Sequence, residues 1–348
     1  MSDKKITVSH DELKRFIREL LIAHGASEND AGVVAEGLVW SNLRGGDGHG
    51  VSRLPRYLKM LEKGEINVKA KPRLIHDRPA IFVLEADHGF GPVAAMQAAA
   101  IAVERAKKIG VCFGLIRQTT HTGAIGRYAQ WIATQGCAAV LMGAGPTLMA
   151  YHGARAASLG TSPIAIAVPG ASGPFVLDMA TSTISNGKIL QGRATGVPLP
   201  TGTVLTASGE ATTDPAKAEI LLPLGGPKGS GLAFMFELLA SVLAAAPIQA
   251  RALGPEKRSR NTGNTAMFVV DVAAFRPVAD FTHDADELVS LLKALPRQVG
   301  FDEITMPGER GNRTEIARRK SGIPIPPKLW EELEGVAKVA AIKMPAVI

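Results

Sequence analysis

Two residues in a glycine-rich segment have the types and spacing needed for acid–base chemistry on an anion. His49 lies between Gly48 and Gly50, where the backbone can approach another molecule closely, and Arg53 follows four positions later. A histidine can give or take a proton near neutral pH, and an arginine can hold a carboxylate. We expect Ser52 to cap a helix whose first N–H groups add to this anion site. The pair fits a substrate with a carboxylate beside a carbonyl, although a turn histidine and a solvated arginine fit the spacing equally well.

Three later segments place polar residues beside glycines at predicted helix starts. His121 is followed by Gly123 and a helix, residues 178–188 form a polar stretch after an apolar run, and Lys228 precedes a long apolar helix. The N–H groups at such helix starts can receive phosphate. Each segment taken singly is better explained as a structural cap or turn, and the Lys228 segment lacks the Walker A form.

One motif has the form of a dinucleotide fingerprint but lacks its context. Gly89, Gly91 and Ala94 fit G-x-G-x-x-A between a predicted strand and a predicted helix. Asp87 and His88 separate the strand from the first glycine, and the next strand ends without a carboxylate for a ribose. We therefore interpret the glycines as a turn, and a Rossmann fold is kept as the alternative architecture.

Composition and charge describe a globular chain with a small-anion site rather than a nucleic-acid binder. The 348 residues favour roughly two domains, and 46% of them are hydrophobic, which allows a sizeable core. The net charge is +7, but the basic residues are scattered apart from two short clusters at residues 257–260 and 318–320, and no aromatic residues are interleaved with them. Nucleic acid therefore ranks last among the partners.

The cysteines and the apolar segments favour a cytoplasmic protein. Cys112 and Cys137 lie in apolar segments without C-x-x-C spacing, so we expect no metal site and two buried free thiols in a reducing compartment. The N-terminus has no apolar signal region, and the apolar stretch at residues 232–248 is interrupted by Glu237 and too short for a membrane span.

The hydrophobic pattern changes near residue 73. Before it, helical periods follow predicted caps at Ser9 and Ser27, and the last forty residues are helical again, with a helix start at Pro327. Between them, short apolar runs alternate with helical stretches at residues 93–108 and 232–245, which favours an α/β or α+β fold. The predicted strands cover residues 80–84, 111–116, 138–142, 164–168 and 266–272.

Several short motifs, taken together and in order, carry a resemblance to a known family. The motifs are His49–Tyr57, Gly160–Pro163, Leu177–Ser182, Gly187–Ile189, Thr213–Pro215, Lys228–Gly229 and Pro307–Arg310. Over residues 9–337 the chain thereby resembles the malate/L-lactate dehydrogenase family, which is distinct from the Rossmann-type enzymes. That family includes reductases of sulfopyruvate, diketogulonate and cyclic imino acids and dehydrogenases of ureidoglycolate.

The resemblance implies a fold, a reaction and partners. It implies an α/β (α+β) fold in which residues 73–310 form a central mixed β-sheet domain with a non-Rossmann NAD(P) site. Residues 1–72, joined by 311–348, form a helical domain built from both chain ends. The implied activity is NAD(P)-dependent interconversion of a small 2-oxo acid and its 2-hydroxy acid. The implied partners are NAD or NADP, a small carboxylate substrate and a second copy of the chain, with no nucleic acid or membrane.

The resemblance also implies roles for individual residues. His49 matches the acid/base, with Lys188 beside it in the catalytic set, and Arg53 matches the carboxylate ligand. Thr161, Asn186 and Gly187 match positions near the substrate. The cofactor positions match His121, Gly123, Ala124, Asp178, Met179, Ala180, Lys228, Gly229, Pro307, Gly308, Glu309 and Arg310.

Three departures from the family pattern bear on function. Gly48 replaces a serine, which removes a hydroxyl beside His49, and Thr122 replaces a phenylalanine near the nicotinamide position. Lys188 stands where the cyclic imino acid reductases carry an aspartate, and a cation there disfavours a protonated imine and favours an anionic 2-oxo acid. Reduction of cyclic imino acids such as pyrroline- or piperideine-2-carboxylate remains the alternative activity. A catalytically impaired nucleotide-binding relative is the alternative of another class.

Overall fold

A computed structural model describes residues 6–248 and 263–348 and confirms the mixed α/β fold. The helices within these residues are α1 (His10–Ala23), α2 (Glu28–Leu43), α3 (Leu54–Glu62), α4 (Gly91–Ile109), α5 (Gly126–Thr134), α6 (Asn186–Thr195), α7 (Pro227–Glu237), α8 (Val278–Lys293), α9 (Glu309–Ser321) and α10 (Pro327–Ala340). The strands are β1 (Ile6–Val8), β2 (Arg73–Arg78), β3 (Ile81–Glu85), β4 (Val111–Thr119), β5 (Cys137–Ala144), β6 (Met149–Ala150), β7 (Ala157–Leu159), β8 (Ile164–Val168), β9 (Phe175–Met179), β10 (Val204–Leu205), β11 (Ala211–Thr212), β12 (Ile220–Leu221), β13 (Gly263–Asp271) and β14 (Ile323–Ile325).

A seven-stranded sheet in the order β2-β3-β4-β13-β5-β8-β9 lies at the centre of the molecule. The five strands predicted from the sequence appear in this sheet as β3, β4, β5, β8 and β13, with small shifts at their ends. Neighbouring strands are antiparallel except for the β3–β4 pair. A doubly wound Rossmann sheet is mostly parallel, so this topology excludes that alternative architecture.

Small side chains let helices pack closely on this sheet. The buried face of α4 is built largely from alanines, including Ala95, Ala98 and Ala102, and Gly110 ends the helix with a φ of +93°. On β4, Gly114 leaves room for the ring of Phe82, because an added Cβ would lie 2.3 Å from its Cζ atom. On the other face, α7 runs into a π-helical turn at Leu238–Val242, so the apolar helix predicted at residues 232–245 begins earlier and changes its geometry.

A second, five-stranded sheet in the order β11-β10-β12-β6-β7 packs against α6 and α7. Its strands are two or three residues long. Ile189 of α6 and Ala233 of α7 share a core with Val204 and Leu221 of this sheet. This layer places the start of α6 beside the His49 segment.

The two chain ends share one helical core. The short strands β1 and β14 pair antiparallel, and α1, α2, α3 and α10 pack around them. Ser9 and Ser27 cap α1 and α2 as predicted, because their hydroxyl oxygens accept the N–H groups of Glu12 and Asp30. The domain boundaries at residues 72/73 and 310/311 stay a prediction.

The G-x-G-x-x-A motif has a structural role in the fold. Gly91 at the start of α4 donates its N–H to Thr120 Oγ1 (3.1 Å), and an added Cβ there would lie 2.4 Å from the carbonyl oxygen of His121. Gly91 therefore allows close packing of the start of α4 against the β4–α5 loop. The basic cluster at residues 257–260 lies outside the described residues. In the described part of the chain, no helix is long and apolar enough to cross a membrane.

Candidate active site

His49 lies in a 3₁₀ turn, Asp47–His49, that is held on both sides by the end of α2. The buried Asn42 side chain donates to Asp47 Oδ1 (2.7 Å) and accepts the N–H of Val51 (2.8 Å). Gly50 has to be glycine here, since an added Cβ would lie 2.3 Å from Asn42 Oδ1. The position of His49 is therefore fixed by contacts that span it.

The helix cap predicted at Ser52 is wrong. A second 3₁₀ turn, Val51–Arg53, precedes α3, which begins at Leu54. The Ser52 hydroxyl instead donates to the carbonyl oxygen of Asp47 (2.6 Å). Ser52 thus ties the two turns together and caps no helix.

His49 and His121 form a stacked pair of imidazoles. Their ring centroids are 5.6 Å apart and their planes differ by 4°. Burial, together with the charge of Arg53, lowers the pKa of His49 to about 4. Burial, followed by Arg53 and His49, lowers the pKa of His121 well below its ordinary value. Both rings are therefore neutral at neutral pH when no ligand is present.

Tyr57 of α3 holds the second imidazole. Its hydroxyl oxygen lies 2.7 Å from His121 Nδ1, and burial raises the pKa of Tyr57 to about 12. Tyr57 is therefore a neutral phenol at neutral pH, and its O–H needs an acceptor. Donation to Nδ1 leaves the proton of His121 on Nε2. His121 lies in the loop between β4 and α5, five residues before the predicted helix, which begins at Gly126.

Arg53 points its charge at the same turn. Its Nε donates to the carbonyl oxygen of Gly48 (2.6 Å), and burial lowers its pKa. The two terminal amino groups of this guanidinium donate to none of the described residues. A guanidinium that is held at Nε and free at both ends can accept a carboxylate in a bidentate pair.

The start of α6 lies against the other side of Gly48. The Cα of Gly187 would be 3.5 Å from a Cβ added at Gly48. Ser185 precedes the helix but its side chain caps nothing, so in the described structure the N–H groups of Asn186 and Gly187 remain unbonded. Lys188 follows in the same turn with its side chain exposed and its Nζ 3.4 Å from Gln191 Oε1. The N-terminus of α6 and the Arg53 guanidinium thus both lie against Gly48, and Lys188 follows in the first turn of α6.

Asp178 of β9 contacts the start of α5, which follows the loop that carries His121. The Oδ2 atom of Asp178 accepts the N–H of Gly126 (3.0 Å). Asp178 is exposed to solvent in the described chain, yet desolvation by the surrounding protein raises the pKa of its carboxyl to about 6, against the Gly126 hydrogen bond and the charge of Arg44. Gly123, with a φ of +75°, faces open space, where an added Cβ would meet no atom within 4 Å.

Four more of the predicted positions lie around Thr181. The carbonyl oxygen of Thr161 accepts both the N–H and the hydroxyl of Thr181, each at 2.9 Å. Met179 and Ala180 lead directly into Thr181. Gly229 of α7 packs against the same residue, because an added Cβ would lie 2.4 Å from the carbonyl oxygen of Thr181.

The predicted turn at residues 307–310 is attached to the end of α2. Arg44 donates to the carbonyl oxygen of Gly308 (3.2 Å) and to Asn312 Oδ1 (2.5 Å). Gly308 has a φ of +86° and begins α9. The Glu309 carboxylate is engaged by Lys293 Nζ (2.6 Å) and by the N–H of Met306 (2.9 Å), so it braces the turn.

The structure brings predicted residues together in small groups. His49, Arg53, His121 and Gly187 surround the turn that contains Gly48, while Asp178 and Gly308 share Arg44. The side chains of Lys228 and Arg310 are exposed, and neither makes a hydrogen bond or ion pair to a described residue.

The sequence reasoning missed three residues that build the site, namely Tyr57, Asn42 and Arg44. Tyr57 follows Arg53 by four positions, the spacing of neighbours on one helix face, and this signal was available. Asn42 and Arg44 had none, because their partners lie in turns whose path is set by the tertiary structure.

Comparison with known proteins identifies the family. A family model described as malate/L-lactate dehydrogenase matches residues 8–334. The chain belongs to the malate/L-lactate dehydrogenase family. The resemblance inferred from the motifs is thereby confirmed, and the chain is an enzyme of the dehydrogenase and reductase class.

Relatives of this dehydrogenase fall into two chemical groups. A malate dehydrogenase of Pyrococcus abyssi (strain GE5 / Orsay) is 32% identical over 353 residues, covering 99% of this chain and 97% of its own. A Δ1-pyrroline-2-carboxylate reductase of Ancylobacter novellus is 31% identical over 341 residues, covering 96% and 98%. The crystal structure of a malate dehydrogenase from Entamoeba histolytica superposes with a TM-score of 0.94 at 27% identity, covering 99% of this chain and 100% of that one.

The family implies a nicotinamide cofactor, and the residues present fit one. The backbone N–H groups of residues 122–125 donate to none of the described residues, and Gly123 leaves open space in front of them. Successive free amides of this kind bind the polar oxygens of amides and phosphates. The unbonded N–H groups beside His121 therefore suit the polar groups of a dinucleotide.

Proposed function

We propose that this enzyme interconverts a small 2-oxo acid and its 2-hydroxy acid, with NAD or NADP as cofactor. The observation that carries the proposal is the convergence on Gly48 of the Arg53 guanidinium and the N-terminus of α6, directly beside His49. Two anion-binding groups next to one proton-transfer group match a carboxylate adjacent to a carbonyl. Thr161, Asn186 and Gly187 complete the substrate side.

His49 moves the proton in this mechanism. In the oxidation direction its neutral ring takes the proton of the substrate hydroxyl, and in the reduction direction its protonated ring gives a proton to the developing alkoxide. Since the charge of Arg53 is one reason for its low pKa, a carboxylate bound to Arg53 offsets that charge and raises the pKa of His49. Substrate binding itself thus prepares the acid form needed for reduction.

His121, Tyr57 and Arg53 orient the reacting groups. The stacked His121 ring limits the rotation of His49, and Tyr57 fixes His121 in turn. Arg53 and the α6 N-terminus hold the carboxylate so that one face of the C2 carbon is presented. The nicotinamide cofactor, when bound, supplies or accepts the hydride.

The cofactor side of the site is formed by residues that the family resemblance singled out. We assign the open amides of the β4–α5 loop and the positively charged first turn of α7 to the cofactor. The residues concerned are His121, Gly123, Ala124, Asp178, Met179, Ala180, Lys228, Gly229 and Pro307–Arg310. Arg127 is occupied by Val33 O (3.1 Å) and Glu36 (3.2 Å), so Arg310 is the better candidate to meet a 2′-phosphate.

The second candidate function is reduction of a cyclic imine, and the charge of Lys188 argues against it. Its exposed ammonium lies one residue from Gly187, in the turn that faces Gly48. A protonated imine there meets like charge, whereas a 2-oxo acid does not.

A cytoplasmic location, expected from the buried free thiols Cys112 and Cys137, stays a prediction.

Turnover against matched substrates tests the proposal. Oxidation of NADH and of NADPH is followed separately with pyruvate, oxaloacetate, sulfopyruvate and the cyclic imines of proline and pipecolate. We expect turnover with a 2-oxo acid, and we expect Lys188→Asp to lower kcat/KM for that acid by about tenfold or more, since it reverses one charge near the substrate. Lys59→Asp, on an exposed position of α3, is the control. Turnover with imines alone overturns the substrate class.

A further inference from the structure

One helix links the predicted cofactor turn to the turn that carries His49. α9 begins at the Gly308 turn and ends near Asp47, and Arg318 lies nine residues along it, roughly 14 Å away at 1.5 Å per residue. Arg44 attaches the first half of the helix to the end of α2, through Gly308 O (3.2 Å) and Asn312 (2.5 Å).

Arg318, near the other end of this helix, binds the turn that contains His49. Its guanidinium forms a bidentate pair with Asp47, with distances of 2.7 Å to Oδ1 and 3.0 Å to Oδ2. It also donates to the carbonyl oxygen of Asn42. The Arg318 side chain is only 16% exposed, and bidentate arginine pairs of this kind are stronger and more directional than surface ion pairs.

The contacts of Asp47 and Asn42 converge on the backbone around His49. Asp47 begins the 3₁₀ turn that His49 ends, and Asn42 bonds both Asp47 and the N–H of Val51. Loss of the Arg318 pair leaves the carboxylate of Asp47 with one partner, the Asn42 side chain, among the described residues. His49 itself has no direct bond to Arg318, so any effect must pass through this turn.

We propose that Arg318 is a positioning residue, which holds the His49 turn in its active geometry through Asp47 and couples that turn to the helix bearing the cofactor segment. The proposal rests on the assignment of His49 as the proton-transfer group. A displacement of about 1 Å in a reacting group costs on the order of 10²-fold in rate, so a loosened turn lowers turnover without touching substrate. The side chain of Arg319, the next residue on α9, bonds Glu315 alone among the described residues and provides a matched control.

Hydrogen exchange of the ligand-free protein tests the structural half. We expect Arg318→Met to speed exchange in the peptide covering residues 46–53, including the Val51 amide, by about tenfold or more, since opening of the turn becomes easier. Arg318→Lys keeps the charge without the bidentate pair and is expected to lie between. Arg319→Met is expected to match the wild type. Equal exchange in Arg318→Met and Arg319→Met overturns the proposal.

Steady-state kinetics test the functional half. We expect Arg318→Met to lower kcat by about 10- to 100-fold while the cofactor dissociation constant stays within about twofold. Because the effect passes through Asp47, the double variant Arg318→Met/Asp47→Asn should lose little more than Arg318→Met alone. Additive losses of kcat in the double variant contradict the positioning role. So does a kcat of Arg318→Lys that is no higher than that of Arg318→Met while the melting temperatures are unchanged. If the wild type reduces none of the acids, the proposed function fails while the exchange experiment still decides the role of Arg318.

Discussion

At the scale of single residues, the site depends on keeping two adjacent imidazoles neutral. His49 and His121 are stacked 5.6 Å apart beside the charge of Arg53, and burial is the first cause of the lowered pKa of each ring. Two protonated rings at this distance would repel each other and lose hydration. The ligand-free enzyme is therefore poised as a base, and the substrate carboxylate shifts it towards the acid form.

The same pKa shifts predict how stability depends on pH. Unfolding returns His49 from a pKa of about 4 to an ordinary 6.5, so the unfolded chain binds more protons between these values and the free energy of unfolding falls as the pH drops through them. His121 acts in the same direction. We expect His121→Gln to flatten this fall in urea unfolding series between about pH 7 and 5.

Asp178 provides a control of opposite sign. Its pKa is raised to about 6 in the folded protein from 3.8, so the native state binds more protons in that window and gains stability as the pH falls. Asp178→Asn should therefore steepen the loss of stability on acidification. A steeper fall in His121→Gln, or a flatter one in Asp178→Asn, contradicts the assigned shifts.

Residue identity predicted part of this site and tertiary structure supplied the rest. His49 could be recognised because glycines flank it, and Arg53 because it follows His49 by four positions. The Tyr57–His121 hydrogen bond joins residues 64 positions apart, and it exists only because α3 and the β4–α5 loop meet in the fold. The spacing of residues along the chain does not predict this contact between α3 and the β4–α5 loop.

At the scale of elements, the His49 segment is shaped by close approach rather than by helix capping. Two consecutive 3₁₀ turns replace the cap predicted at Ser52, because Asn42 of α2 accepts the N–H of Val51 and the Ser52 hydroxyl donates to the carbonyl oxygen of Asp47. The caps at Ser9 and Ser27 were predictable since they are local. The five-stranded sheet was not, because strands of two or three residues have no alternation to detect.

A pair of glycine substitutions tests the close approach. Gly50→Ala places a methyl group 2.3 Å from the buried Asn42 side chain, and we expect it to lower the free energy of unfolding by about 1–3 kcal/mol. Gly335→Ala, in an exposed part of α10 with no atom within 4 Å of the added Cβ, should gain about 0.5–1 kcal/mol. Urea unfolding measures both. A Gly50→Ala protein as stable as the wild type would show that the Asn42 contact is dispensable.

At the scale of the whole molecule, α8 leaves an apolar face uncovered in the single chain. None of its residues is buried, while Leu288 is 57% exposed and Leu291 is 61% exposed. A helix with an uncovered apolar face of this kind is typical of an interface. The homodimer that the family resemblance implies offers a cover for it, and we infer that α8 packs on a second copy.

Sedimentation equilibrium tests this inference. We expect a mass of twice 36.5 kDa for the wild type and a shift towards the single-chain mass for Leu288→Glu/Leu291→Glu, because two charges would be buried without partners. Val339→Glu changes an exposed apolar residue of α10 and should leave the mass unchanged. A Leu288→Glu/Leu291→Glu protein that stays dimeric places the interface elsewhere.

The most direct test of the account is the turnover of His49→Gln with the best 2-oxo acid found for the wild type. Glutamine keeps hydrogen-bonding capacity but cannot transfer a proton, so kcat should fall by about 10²–10⁴-fold. The dissociation constant of the cofactor, measured by fluorescence on the same samples, should stay close to that of the wild type. A kcat within about threefold of the wild type would remove His49 from proton transfer and contradict the mechanism.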